Sequence, residues 1–92
     1  MGVGGMRVGI DAKLRQTLKL TQQYGMELLE IRRGGPADRA ELKRLDVIIS
    51  AANESITEPR DLQRIVRSHK AGEKVSVSFL REGKQRKVTL IL

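Results

Sequence analysis

The spacing of apolar positions changes period along the chain, and each change marks an element. Near the end, Val75, Val77 and Phe79 alternate with Ser76, Ser78 and Leu80, and Val88, Leu90 and Leu92 alternate with Thr89 and Ile91. A period of two predicts a pair of strands with one face in a core. If Glu82-Gly83 is a two-residue turn, Arg81 stands opposite Lys84, Val77 opposite Val88 and Val75 opposite Leu90. Loops of three to five residues are the alternative, and a slip of one residue would put the apolar partners out of line. Upstream, Leu62, Ile65, Val66 and His69 recur at helical spacing. That helix is expected to start near Pro59, with Thr57 or Glu58 as cap and Asp61 in the first turn, and to end at Gly72.

In the first half, residues 6–10 read as a strand. Asp11 then caps a helix running to about Leu20, with Leu14 and Leu18 on one face and Lys13, Arg15 and Lys19 towards water. Gly25 marks a turn into a strand over residues 26–32, whose Leu28, Leu29 and Ile31 supply apolar groups to both faces. Gly34 and Gly35 permit a sharp turn, and Pro36 suits the first position of a short helix because its missing N–H would have had no partner there. Asp46 opens the apolar run Val47-Ile48-Ile49, a buried strand, followed by a turn at Asn53-Glu54.

Composition narrows the function. Ninety-two residues make one domain, able to bury about 60–65% of its unfolded surface. There is no cysteine, and the single histidine, His69, has no cluster of carboxylates around it, so neither a metal site nor a cofactor is expected. No nucleophile elbow or paired acid and base suggests catalysis by the chain itself. No apolar stretch approaches the roughly 18 residues of a membrane span, and the start Met1-Gly2-Val3-Gly4-Gly5 lacks the basic and apolar regions of a signal peptide. The net charge of +7 raises the question of nucleic acid. Basic residues are spread among Glu and Asp, however, and Tyr24 and Phe79 are the only aromatics, so a solvated basic surface is expected and nucleic acid is not.

The run from Arg33 to Asn53 resembles the signature of bacterial PDZ domains, G-S-P-A-x-x-A-G-L-x-x-G-D-V-I-x-x-I-N-G. Glu41 and Leu45 stand where that pattern has glycine, and Glu54 replaces the glycine of a tight Asn-Gly turn. If either of the first two backbones needs φ > 0, the side chain costs roughly 1 kcal/mol. Thr57-Glu58-Pro59-Arg60-Asp61-Leu62 resembles the family's S-x-x-D-L helix start, and Lys70-Ala71-Gly72-Glu73-Lys74-Val75 and Leu80-Arg81-Glu82-Gly83-Lys84 resemble its P-G-x-x-V and L-R-D-G-K segments. In this order the pieces resemble the circularly permuted PDZ domain of HtrA-type, DegP-like serine proteases. The resemblance implies a mainly β member of the α/β class, a sandwich of five or six strands capped by two main helices.

It also implies a peptide-binding module for hydrophobic C-termini or extended segments, added as a strand to the sheet edge. The family's carboxylate loop, Y-Φ-G-Φ, falls on Gly2-Val3-Gly4-Gly5, where successive glycine amides could form a nest for a carboxylate. By this placement Val3, Gly4 and Gly5 hold the ligand's carboxylate, and Met6, Arg7 and Val8 form the edge strand. A placement on Arg7-Val8-Gly9-Ile10 is the alternative. Leu62 and Val66 are expected to face the core, with Ile65 and His69 on the adjacent stripe towards the ligand, and Leu62 bordering the groove. By resemblance, the expected partner is a protease domain in a parent protein of the bacterial periplasm or cell envelope, with homo-oligomerisation of that parent a further expectation. A scaffold of a secretion system, or a module of another membrane-associated protease, is the alternative.

Overall fold

The computed structural model describes residues 1–92. Strand β1 (Val3–Gly9) leads into helix α1 (Ala12–Leu18), and strand β2 (Tyr24–Ile31) into the short helix α2 (Pro36–Arg39). Strand β3 (Val47–Ala51) turns back into β4 (Glu54–Ser55) ahead of helix α3 (Pro59–Arg67), and β5 (Lys74–Arg81) and β6 (Lys84–Ile91) close the chain as a hairpin. All six strands belong to one antiparallel sheet of order β1-β2-β3-β5-β6, with β4 paired to β3. This is the mainly β architecture implied by the sequence resemblance, with α2 as a third, four-residue helix. Strand β1 is left at an edge.

The sheet carries an apolar cluster on each face because β3 contains a bulge. Ile48 lies opposite Phe79 and Ser50 opposite Ser78, which leaves Ile49 as the extra residue. Ile48 and Ala51 therefore share a face with Phe79 and Val77, although three positions separate them, and join the main core with Leu28, Leu62 and Ile65. Ile49 turns to the other face, where it meets Ile10 and Leu80 beneath Leu14 and Leu18 of α1. The β5–β6 hairpin has the register read from the sequence, with Arg81 opposite Lys84, Val77 opposite Val88 and Val75 opposite Leu90. Both turn residues have positive φ, 51° at Glu82 and 76° at Gly83, as a two-residue hairpin turn requires.

Several boundaries differ from the sequence reading for local reasons. Strand β1 occupies Val3–Gly9 rather than residues 6–10, because pairing with β2 extends to Val3 opposite Ile31. Helix α1 stops at Leu18, since Lys19 is left-handed (φ 57°) and the Leu20 N–H returns to the Arg15 carbonyl at 2.8 Å. The turn before β4 centres on Ala52 and Asn53, φ 51° and 64°, one residue earlier than Asn53-Glu54. Helix α3 ends at Arg67 and not at Gly72: the Ser68 hydroxyl donates to the Ile65 carbonyl at 2.7 Å, which competes with a further helical turn. Gly72 (φ 89°) instead shapes the turn into β5, where its N–H donates to the Leu92 carbonyl. Glu41 and Leu45 keep the conformation that favours glycine, at φ 66° and 74°, so the loop has not shifted to relieve them.

Candidate functional site

A groove of about 340 Å³ runs between β1 and α3. Its β side is formed by Val3, Gly4 and Gly5 with Met1 and Met26, and its helical side by Pro59, Leu62, Gln63, Val66 and Arg67. Leu62 and Val66 are one helical turn apart, as are Gln63 and Arg67, so α3 presents an apolar stripe beside a polar one. Leu62 is buried, Val66 half-buried, and Gln63 and Arg67 exposed: the apolar stripe forms the floor and the polar one the outer lip.

Backbone pairing determines what β1 offers to this groove. The Arg32 N–H donates to the Gly2 carbonyl at 2.7 Å and the Ile10 N–H to the Gln23 carbonyl at 2.8 Å, so even-numbered residues direct their backbone groups at β2. Leu28, opposite Gly5, bonds to the residue before β3 instead, its N–H donating to the Asp46 carbonyl at 2.8 Å. By the alternation of an antiparallel ladder, the N–H and C=O groups of Val3, Gly5, Arg7 and Gly9 point along the unpaired edge. The partners of Gly5 and Arg7, Leu28 and Met26, are core residues, which places the odd-numbered positions on the α3 face of the sheet.

Gly5 has a steric reason to be glycine. A Cβ there would collide with the Glu27 carbonyl oxygen and press on the Met26 Cε, whereas one at Gly4 would make ordinary contact, 3.6 Å from the Glu30 side chain. The extra residue in β2 at this point is Leu29, because Gly4 faces Glu30 and Gly5 faces Leu28. The Leu29 carbonyl accepts from Arg44 Nε at 3.0 Å.

Helix α3 runs antiparallel to β1. Gln22 Nε2 donates to the carbonyls of Tyr24 (2.9 Å) and Ile56 (3.0 Å), which holds the approach to α3 beside Tyr24, the partner of Gly9. At the other end, the segment after α3 is tied to Leu92, which packs on the same core as Met1 and Val3. The last turn of α3, with Arg67, thus lies at the Val3 end of the groove.

Of the residues expected at the site, Val3, Gly4, Gly5 and Leu62 come together in the groove. Ile65 does not: it is 1% exposed and belongs to the core, while Val66, read as core-facing, lines the groove. His69 lies beyond the helix end, its Nδ1 2.7 Å from the Ile65 carbonyl, and is not part of the groove wall. The Met6 side chain, 50% exposed, and that of Val8 occupy even positions and point to the opposite face. Arg7 has the outward backbone groups but stands away from the floor, with its guanidinium 4.6 Å above the Tyr24 ring. Met1, Met26, Pro59, Gln63 and Arg67 also line the groove and were not expected there. The i, i+4 pairs 62/66 and 63/67 were visible in the sequence, but helical spacing leaves the rotation of the helix about its axis open.

An unpaired strand edge beside an apolar helix face, in a mainly β sheet of this order, is the architecture of a β-augmentation domain. The sequence profile of the PDZ domain matches residues 7–92, and the chain belongs to that family. A protein of Rhizobium meliloti (strain 1021) named "Probable periplasmic serine endoprotease DegP-like" is 31% identical over 81 residues, which cover 88% of this chain and 16% of that protein. A protein of the same name from Chlamydia pneumoniae is 32% identical over 75 residues, 82% of this chain and 15% of that one. The chain thus spans about a sixth of the length of these relatives. Among solved structures, the HtrA-type protease AlgWS227A with decapeptide is similar with a TM-score of 0.77 at 27% identity, covering 98% of this chain and 27% of that one. The HtrA-type protease AlgW with tripeptide gives 0.75 at 27% identity, covering 98% and 29%.

Proposed function

We propose that this domain binds the C-terminal segment of a partner protein, ending in an apolar residue, as a strand added antiparallel to β1. The observation that carries this reading is a coincidence of position. The outward backbone groups of Val3, Gly5 and Arg7 open onto the same groove as the apolar side chains of Leu62 and Val66. Main-chain pairing supplies affinity in this mode of recognition, and the pocket for alternate side chains supplies preference. Peptide-bearing structures of AlgW, which share this fold, support the reading. Titration with decapeptides ending in Leu, Val or Phe, followed by amide shifts, is the test. Micromolar binding with the largest shifts at Val3, Gly5 and Arg7 is expected, whereas shifts confined to α1 or to β6 would remove the assignment.

The names of the relatives support a wider reading, in which the domain recruits substrate to, or regulates, an HtrA-type serine endopeptidase of the bacterial periplasm. In that reading cleavage belongs to a separate domain of the parent protein, and this chain supplies the contact with peptide. Reading the parent gene for a trypsin-like His, Asp, Ser order and an export signal tests it. Absence of a protease domain would favour a scaffold role.

A further inference from the structure

The sheet has a second unpaired edge. Strand β6 lies at the far side from β1 and pairs with β5 alone. The Ser76 carbonyl of β5 accepts the Ala52 N–H at 2.9 Å, so the odd-numbered residues of β5 direct their backbone groups at β6, where their partners are even-numbered. The Leu92 N–H, donating to the Glu73 carbonyl at 2.9 Å, continues that pattern. By alternation, the N–H and C=O groups of Gln85, Lys87, Thr89 and Ile91 point along the free edge, and all four residues are exposed. This edge is cationic. Lys84, Arg86 and Lys87 are exposed, no acidic residue follows Glu82 in the chain, and neither ion pair of the molecule, Arg64–Glu54 or Arg81–Asp46, includes them. Lys84 and Arg86 stand on the face of Val88 and Leu90, and Lys87 on the other, so positive charge flanks the edge from both sides of the sheet. Beyond Lys87, a recess of about 140 Å³ between β6 and α2 adds Arg39 beside Thr89 and Ile91. The acidic neighbour of Arg39, Asp38, is taken by the Gly34 N–H at 2.9 Å.

We infer that β6 is a second docking edge, which takes an internal, acidic, extended segment of a partner protein as an added antiparallel strand. This does not depend on the β1 groove. The outward groups of Gln85, Lys87 and Thr89 pair with the main chain of the segment, and carboxylates on its two faces meet Lys87 on one side and Lys84 and Arg86 on the other. Charge also decides against a second copy of this chain. Two β6 edges paired antiparallel across residues 85–87 would set Lys84, Arg86 and Lys87 of one against those of the other, and like charges on facing strands repel. Lysines on an edge strand guard it against indiscriminate pairing. Here the same charges turn away a basic strand and admit an acidic one.

The experiment titrates three decapeptides, each acetylated and amidated, into the isotope-labelled domain: alternating Glu and Thr, alternating Lys and Thr, and alternating Glu and Pro. The last has the charge of the first but lacks every second N–H and does not extend as a strand. The Glu/Thr peptide is expected to shift the Gln85, Lys87 and Thr89 amides most, to bind about tenfold or more tightly than either control, and to weaken with salt. The double variant Arg86→Glu, Lys87→Glu should lose about tenfold or more. Gln85→Pro removes an outward N–H at an edge position that tolerates proline and changes no charge, and should lose about fivefold. Both positions are exposed, and thermal melts report that the fold is kept. A free-acid decapeptide ending in Leu should not displace the Glu/Thr peptide, so failure of the groove reading and of this one are told apart. Equal binding of the Glu/Pro peptide would reduce the edge to a diffuse positive charge and overturn the inference. Shifts confined to β1 and α3, or no binding of the Glu/Thr peptide, would overturn it as well. Displacement of that peptide by oligothymidylate or by phosphatidylglycerol vesicles at lower concentration would give the edge to nucleic acid or to lipid instead.

Discussion

Asp46 and Arg81, 35 positions apart, meet in a two-point ion pair: Arg81 Nε donates to Oδ1 at 2.8 Å and Nη2 to Oδ2 at 2.7 Å. Asp46 is 2% exposed, and its Oδ2 also accepts the Lys43 N–H at 2.8 Å. Arg81 Nη2 reaches on to the Glu41 carbonyl at 3.1 Å. One guanidinium therefore fastens the α2–β3 connection to the end of β5, and its hydrogen bonds to the Asp46 carboxylate raise the pKa of Arg81 above its ordinary value. The same connection holds Glu41 and Leu45 at positive φ, so the ion pair stabilises a loop that its own residues disfavour.

Removing the cation should therefore hurt more than neutralising the acid. Arg81→Met leaves a buried carboxylate with only the Lys43 amide, and a loss of about 3–5 kcal/mol is expected. Asp46→Asn keeps an acceptor for Lys43 and for Arg81, itself partly exposed, and should lose about 1–3 kcal/mol. Urea unfolding of both variants checks the order, and a smaller loss for Arg81→Met would place the energy elsewhere.

Relief of the left-handed residues should stabilise. Glu41→Gly, Leu45→Gly and Ala52→Gly are each expected to gain about 0.5–1 kcal/mol, because glycine takes φ > 0 without the Cβ penalty. Ala40→Gly, at φ −84°, is the control and should lose stability. Midpoints of chemical denaturation that fall for all four variants would contradict this account of the loop.

Adjacent residues of α3 should separate folding from binding. Ile65→Ala opens the core and is expected to cost about 2–5 kcal/mol of stability. Val66→Ala, half-buried at the groove floor, should lose less than about 1.5 kcal/mol of stability yet weaken peptide binding several-fold. Parallel melts and peptide titrations decide. If Val66→Ala binds as wild type does, the floor has been misplaced.

Acid should loosen the start of α3. No side chain caps this helix at Glu58; instead the Asp61 carboxylate reaches back to accept the Thr57 N–H and hydroxyl, both at 2.9 Å. The backbone hydrogen bond from Thr57 is the main cause of a pKa below the ordinary 3.8, and it outweighs the opposing effect of burial. A folded-state pKa below the unfolded one adds stability above the unfolded value and loses it as pH falls through the folded one, here below about pH 3.8. Asp61→Asn should lower stability at neutral pH by about 0.5–2 kcal/mol and flatten the loss below pH 4, as read from unfolding at several pH values. An identical slope in the variant would assign acid sensitivity to other carboxylates.

Short-range rules made part of this fold legible in the order of its residues. Alternation and a two-residue turn place Val77 opposite Val88, because a slip by one residue would turn Val88 and Leu90 away from the core. Pro59 marks the helix start and Pro36 the short helix, because proline fits the first turn and little else in a helix. Other features depend on long-range packing. The period of 3.6 groups Leu62, Ile65 and Val66 but does not say which of them faces the sheet. That rotation follows from packing α3 against β1 and the main core, which buries Ile65 and leaves Val66 at the groove. The glycine run invited a nest, yet pairing with β2 draws Gly4 and Gly5 into a strand, since a backbone that can join a sheet satisfies its hydrogen bonds there first. Arg67 was one basic residue among eighteen lysines and arginines. Only the antiparallel placement of α3 on β1 brings it to the end of the edge strand, beside Val3 and Gly5.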